Sequence, residues 1–275
     1  MVHRQDACLK FLREAADATV LLRGVRADRL KARLSVIRPD GTQDQFDVLI
    51  EPRGASSVSV REAVVGCRLP SWCPDRHINA DGSFCLSWAE AEPLTIDSLE
   101  NAQRWWAALF GFLKRQRIAE RARRWPMGRS RAHGPDAAQA EAEAEAIAGS
   151  LGYRLLSDLR RGKLSAKFGI GTGVVKTPGW SFYLDGRRIL NIRYDGIITG
   201  LSNRTCLCDL WKIATPSACR DHQGQVIALG MALVRQQEAE ALFWSEAKRR
   251  LVCCRSMDSC PLNPAVQEKT CGGLA

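Results

Sequence analysis

The residues best suited to chemistry lie between Arg68 and Trp88, where Cys73, His77 and Cys85 share a segment with Pro70, Pro74 and Gly82. A thiol is a nucleophile once deprotonated, and an imidazole can donate a hydrogen bond or move a proton near neutral pH. The segment has neither the period of two of a strand nor the 3.6 of a helix, so it reads as a loop held in shape by its neighbours. Pro70 and Pro74 fix φ and bias the residues before them to extended conformations. Ala80-Asp81-Gly82 reads as a turn in which Gly82 takes positive φ. That turn delivers Phe84-Cys85-Leu86, a thiol between two apolar anchors eight residues after His77, an arrangement that can present Cys85 to a partner.

A second concentration of reactive side chains lies near the C-terminal end. The chain has 11 cysteines, four before residue 90 and seven after 205. In a reducing compartment such a cluster argues for metal before disulfides. Cys206-Leu-Cys208 and Cys219-Arg-Asp-His222 are half-sites for a tetrahedral zinc, which Cys253, Cys254 and Cys260 could complete. No strict Cys-x-x-Cys pair is present, so one structural zinc and a set of reduced, buried thiols both stay open. Cys8 on its helix reads as a core residue, and Cys67 and Cys73 are expected to be buried, with a regulatory disulfide between them as the alternative. Asp75 and Asp81 flank the loop and could orient an incoming amine.

The elements around the loop follow from periodicity. Arg4 to Asp17 is amphipathic, with Cys8, Phe11, Leu12 and Ala15 on one helical face. Ala32–Ile37 alternates as a half-buried strand, Pro39-Asp40-Gly41 turns, Phe46–Ile50 answers, and Ser57–Val65 is a weaker third strand. After the loop, Asp97-Ser-Leu-Glu100 has the form of a capping box, and Leu99, Ala102, Trp106, Leu109 and Leu113 predict a core-facing helix.

His77-Ile-Asn-Ala-Asp-Gly-Ser-Phe-Cys85-Leu resembles the active-site segment of ubiquitin-conjugating (E2) enzymes, in which a short turn ending in Gly-Ser-apolar-Cys-Leu carries the thioester cysteine. The order of helix, antiparallel meander and long loop is also that of the E2 fold, and the resemblance covers roughly the first 125 residues. Counted back from Cys85, the family's His-Pro-Asn tripeptide falls on Asp75-Arg76-His77 and is absent. His77 takes the place of the asparagine, as in the divergent bacterial E2-like proteins found beside ubiquitin-like and E1-like proteins. Residue chemistry alone favours an inert buried Cys85; the resemblance implies a thioester nucleophile, with His77 stabilising the oxyanion or the loop.

Trp125-Pro-Met-Gly is a break by composition, which predicts an E2-like (UBC fold) domain over 1–127 and a cysteine-rich, zinc-binding domain over 128–275. Both are expected to be α+β, the first with an antiparallel sheet and flanking helices. Within the second, Asp136–Ala148 reads as a connecting helix with a largely wet surface. Ser165–Val175, Trp180–Leu184 and Ile189–Tyr194 read as short strands separated by Pro178-Gly179 and Asp185-Gly186. Gln223–Leu251 is the longest helical pattern, with Ile227, Met231, Val234, Leu242 and Phe243 facing a core. Gly169-Ile-Gly-Thr-Gly173 has neither the ending nor the spacing of a nucleotide loop.

The net charge of +10 invites a nucleic-acid reading. It is spread thinly, with 20 Lys/Arg against 16 Asp/Glu in residues 1–125 and 20 against 14 beyond; only Lys114–Arg124 is dense, and on a helix that is a solvated face or a surface for an acidic protein. No nucleic acid is therefore expected. No apolar run approaches the roughly 18 residues that span a bilayer, and the N-terminus has no basic-then-apolar signal, so no membrane contact and a cytoplasmic location are expected. The partners the resemblance implies are a ubiquitin-like protein, an E1-like activating enzyme and a protein target. The sequence thus points to an E2-like enzyme that carries a ubiquitin-like protein on Cys85 and transfers it to an amine or hydroxyl in an antiphage system. The alternative is a non-catalytic adaptor that binds the ubiquitin-like protein or its E1-like enzyme through a degenerate E2 domain.

Overall fold

The structure is a computed structural model of all 275 residues, and it describes residues 5–38, 40–87, 93–126, 132–170, 178–193, 198–199, 205–206, 209–213 and 222–263. Two compact α+β units result: Met1–Pro126 with Leu251–Ala275, and Met127–Arg250. The chain after Arg250 thus belongs with the N-terminal unit.

In that unit α1 (Gln5–Glu14) precedes β1 (Val20–Val25), β2 (Leu30–Ile37), β3 (Gln43–Pro52) and β4 (Val58–Glu62), which form one antiparallel sheet in sequence order. The register sets Leu30 opposite Ile50, Ala32 opposite Val48 and Leu34 opposite Phe46, and all six side chains are buried. One face of the sheet is therefore the core, against which α1 and α2 (Leu99–Ala122) lay Leu12, Trp105, Trp106, Leu109, Phe112 and Leu113. β1 escaped the sequence reading because Leu21 and Val25 break its alternation by facing solvent.

The start of α2 corrects the capping-box expectation. Ser98 is the N-cap and accepts from the Asn101 amide at 3.2 Å, while Glu100 pairs with Arg104 and Leu99 is exposed. The basic stretch of α2 is not wholly a solvated face. Arg117 reaches Asp44, whose position opposite Val36 continues the apolar face of β3. Asp44 is buried and receives guanidinium hydrogen bonds from Arg38 at 2.5 and 2.7 Å, Arg68 at 3.0 Å and Arg117 at 2.6 Å. A buried carboxylate needs such partners, and they hold its pKa well below the ordinary value, Arg38 foremost.

In the second unit α3 (Pro135–Leu151) is a core helix, against the wet-surface expectation. Its alanines supply the buried face, Ala137, Ala140, Ala144 and Ala148, because small side chains let it pack closely on α5 (Gln223–Arg250). α4 (Tyr153–Arg160) follows, then an antiparallel sheet of β5 (Leu164–Ile170), β6 (Pro178–Leu184), β7 (Arg187–Arg193) and β8 (Ile198–Thr199). β9 (Thr205–Cys206) and β10 (Asp209–Ile213) form a separate pair. Asp185-Gly186 makes the expected turn, both at positive φ, but Pro178-Gly179 lies within β6, opposite Ile170 and Gly169. The α5 core face is Val226, Leu229, Ala232 and Leu233, while Met231 and Leu242 face outward. Gly171–Gly173 lie outside the described residues.

Gly230 shows how closely α5 meets the sheet. A Cβ there would lie 2.4 Å from Cζ of the buried Phe182 ring. Gly230→Ala should therefore lower stability by about 1–3 kcal/mol through overpacking, although alanine gains about 1 kcal/mol in helix propensity. A midpoint in chemical denaturation higher than the parent's would refute this packing.

Candidate active site

The loop from Arg68 to Ser87 belongs to no regular ladder, so its backbone groups need other partners. It begins on the buried Glu62 of β4, whose carboxylate accepts from the amides of Arg68 at 3.1 Å and Leu69 at 3.2 Å. Cys73 and Ile78 exchange backbone hydrogen bonds of 3.1 and 3.0 Å and enclose a single 3₁₀ turn, Pro74–Arg76. A second turn is built on Asp81, which accepts from the Ser83 amide at 3.0 Å and the Ser83 hydroxyl at 2.5 Å and pairs with Arg53. Gly82 has φ +77°, and a Cβ there would come within 2.9 Å of Val65.

The two turns are pinned to the core from opposite sides. Phe84 donates its amide to Val60 of β4 at 2.8 Å and stacks on Phe112 of α2, with ring centroids 4.8 Å apart. Arg76 is 3% exposed; its guanidinium donates to the Gln116 side-chain oxygen at 2.7 Å and carbonyl at 3.1 Å, and Gln116 Nε2 returns a bond to the Arg76 carbonyl at 2.5 Å. Burial lowers the Arg76 pKa, while the neighbouring Cys73, Glu120 and Cys254 favour its charge.

Cys85 and His77 meet through the main chain. The Cys85 amide donates to the His77 carbonyl at 2.8 Å, and the half-buried thiol lies 3.7 Å from the Ser87 carbonyl. His77 ends the 3₁₀ turn in the left-handed region, φ 54°, ψ 42°, which asparagine and histidine tolerate better than most residues. Its ring lies 4.8 Å from that of Trp125, tilted by 53°. Burial pushes the Cys85 thiol pKa above its ordinary value. The site therefore holds a protonated thiol whose proton must leave as it reacts.

Sequence reasoning missed three contributors. Trp125 was read as the start of a break between domains, yet it packs on His77 and Phe112. Gln116 sat among basic residues and carried no signal beyond its heptad-like position below Phe112. The third is the segment Leu251–Asn263, which returns to this unit: the Asp258 amide donates to the Arg123 carbonyl at 2.8 Å, and Arg123 Nε lies 2.5 Å from the Asp258 carboxylate. Cys254 lies there beside Cys73, and Cys253 beside Cys260.

The expected metal ligands are thus divided. Cys253, Cys254 and Cys260 belong with the first unit, Cys206 is in β9 of the second, and Cys208 and Cys219 lie outside the described residues. Among the described residues no group of three or more His, Cys, Asp or Glu is gathered as a metal would require. Of the remaining thiols Cys8 and Cys73 are buried as expected, whereas Cys67 is exposed, a correction. Asp75 lies close enough to Cys260 to act on its thiol electrostatically. Among the described residues no helix is long and apolar enough to cross a membrane.

Two family models match the chain, the second running past Arg250 into the segment grouped with the first unit. Residues 24–127 match the family model of a prokaryotic E2 domain, so the first unit is an E2 domain. Residues 132–262 match the model of a cysteine-rich domain C-terminal to an E2 domain. The chain is a member of the prokaryotic E2-like proteins with a C-terminal cysteine-rich domain. Comparison with curated proteins and with solved structures finds no match.

Two measurements check the site. Gln116→Leu leaves the buried Arg76 guanidinium and carbonyl without their partners and should cost about 3 kcal/mol in chemical denaturation; a loss below 0.5 kcal/mol, smaller than a single ordinary hydrogen bond, would remove the lock from the account. The raised Cys85 thiol should give an iodoacetamide rate that keeps climbing as pH rises through the ordinary thiol value of 9.0. A plateau below pH 8 (about one unit under that value) would mean an activated thiolate.

Proposed function

We propose that the protein takes a ubiquitin-like protein from an E1-like enzyme as a thioester on Cys85 and transfers it to an amine or hydroxyl of a protein target. The observation that supports this reading most directly is the fixation of Cys85: its amide is held by His77 and its neighbour Phe84 is anchored on β4 and α2, while the thiol keeps partial exposure. A nucleophile that must meet two large partners in turn needs a fixed backbone and an accessible sulfur. In charging, the Cys85 sulfur forms a bond to the acyl carbon, the E1-like thiolate leaves, and the Cys85 proton passes to solvent or base. In transfer, the acceptor attacks the same carbon and Cys85 leaves as a thiolate.

A high thiol pKa suits this cycle by limiting idle reactivity, although it also makes Cys85 a poorer leaving group. Stabilising the tetrahedral oxyanion offsets that cost, and His77 is our candidate for the group that does so. Loss of an oxyanion donor costs about 2.7–4 kcal/mol, or 10²–10³ in rate. His77→Gly retains the left-handed conformation without the imidazole, so it separates ring from backbone. Its charged form should discharge to an amine about 100-fold more slowly than wild type; discharge at the wild-type rate would sink the transfer role.

The decisive experiment for the function is charging itself, with a ubiquitin-like protein and E1-like enzyme encoded beside this chain and ATP, read on a non-reducing gel. A thiol-sensitive adduct is expected on wild type, absent or replaced by a thiol-resistant ester in Cys85→Ser. No adduct from an E1-like enzyme that does activate the modifier would favour the non-catalytic adaptor. We infer a cytoplasmic reaction from its need for ATP, and a role in antiphage defence from the resemblance to bacterial E2-like proteins. The defence role requires that Cys85→Ser abolish protection in plaque counts. A structural zinc, with Cys206, Cys208, Cys219, Cys253, Cys254 and Cys260 as the candidate ligands, is a proposal that the cysteine-rich composition supports; chelation should then lower the thermal midpoint of the full chain.

A further inference from the structure

α2 ends on a clamp that residues far along the chain supply. Arg123 caps the helix in the left-handed region, φ 51° and ψ 26°, a conformation that costs free energy for a residue with a Cβ. Three hydrogen bonds from one segment hold it there. The Asp258 amide donates to the Arg123 carbonyl at 2.8 Å, Arg123 Nε donates to the Asp258 carboxylate at 2.5 Å, and Arg123 Nη2 donates to the Arg255 carbonyl at 2.9 Å. Between those two residues Met257 is buried and anchors the segment in the same unit. The turn places Trp125. A helix rises about 1.5 Å per residue, so α2 continued to Trp125 would carry that residue about 20 Å along the axis from Phe112. Instead the two ring centroids are 6.4 Å apart, and the Arg115 guanidinium lies 6.0 Å from the centroid of the indole. Folded back in this way, Trp125 meets the His77 imidazole at 4.8 Å.

We propose, on the reading of His77 as the oxyanion donor, that Trp125 is a positioning residue for the His77 imidazole and that Asp258 sets it in place by holding Arg123.

The His77 backbone is fixed without Trp125: its amide donates to the Pro74 carbonyl at 2.7 Å, and its carbonyl accepts from the Cys85 amide at 2.8 Å. Those bonds fix the Cα and Cβ of His77 and leave its side-chain torsions open. A flat ring against the imidazole closes part of that range, so the ring nitrogens are offered to an acyl group on Cys85 in fewer directions. The transfer step is sensitive to such placement, because a displacement of about 1 Å can cost about 100-fold in rate. Trp125 is itself confined, since Phe112 and Arg115 stand one turn apart on α2 and both face it. Arg255 and Asp258 fall within the stretch 132–262 that matches the cysteine-rich family. That stretch therefore contributes to the E2 active site, through Arg123 and Trp125.

Two readouts on the full chain test this, one of them independent of charging. The carbon-bound imidazole protons of His77, assigned in the NMR spectrum by their loss in His77→Gly, should be displaced by the indole ring current. Trp125→Leu should return them to the shifts of a free histidine. Asp258→Ala, a change at an exposed carboxylate, should move them part of the way. Unmoved resonances in either variant would overturn the proposal. In single-turnover discharge of the charged forms to an amine, Trp125→Leu should be about 10-fold slower than wild type at an unchanged half-saturating amine concentration, and should cost nothing further in His77→Gly. Additive losses would place the action of Trp125 elsewhere and would equally overturn it. A wild type that never charges would sink the function of Cys85 instead, leaving the resonances to decide the positioning. Should Trp125→Leu fail to fold, Asp258→Ala decides by both readouts.

Discussion

A guanidinium taken out of water must find hydrogen-bond acceptors, and in this protein that demand at Arg76 shapes the active-site loop. Gln116 meets it from α2 and takes back the Arg76 carbonyl, so one side chain satisfies a charge and closes the loop backbone. The exchange forces Pro74–Arg76 into its 3₁₀ turn against α2 and leaves His77 at the turn's end in a left-handed conformation. From there the chain can only run back antiparallel, Ile78 facing Phe84. The His77 carbonyl consequently faces the Cys85 amide. Arg76 occupies the middle position of the missing tripeptide, so this chain holds its loop from beneath with a charge in place of a proline's fixed φ.

Much of this was legible in the sequence where local chemistry decides it. Gly82 had to be glycine because of its positive φ and the nearness of Val65, and alternation exposed β2 and β3. Strict patterning failed wherever tertiary contact outweighed it. The alanines of α3 read as a wet surface, yet their small size is what lets them bury. Asp44 lies outside the strand read over Phe46–Ile50, and only the convergence of Arg38, Arg68 and Arg117 allows it to sit on the apolar face. The return of Leu251–Asn263 to the first unit had no local signal, because a segment without periodicity announces no partner. Its cysteines read as companions of Cys206 and Cys208 by proximity in sequence, whereas the fold groups Cys254 with Cys73.

The thiols of this unit differ in what acts on them. Cys85 lies on the apolar side, where desolvation alone acts and keeps its proton in place. Cys254 lies where Arg76 and the Cys73 and Ser256 hydrogen-bond donors favour the anion. The two thiols are therefore shifted in opposite directions, Cys85 up by desolvation and Cys254 down by its hydrogen-bond partners. On the proposed function, Cys85 has to stay unreactive until a partner's thioester arrives.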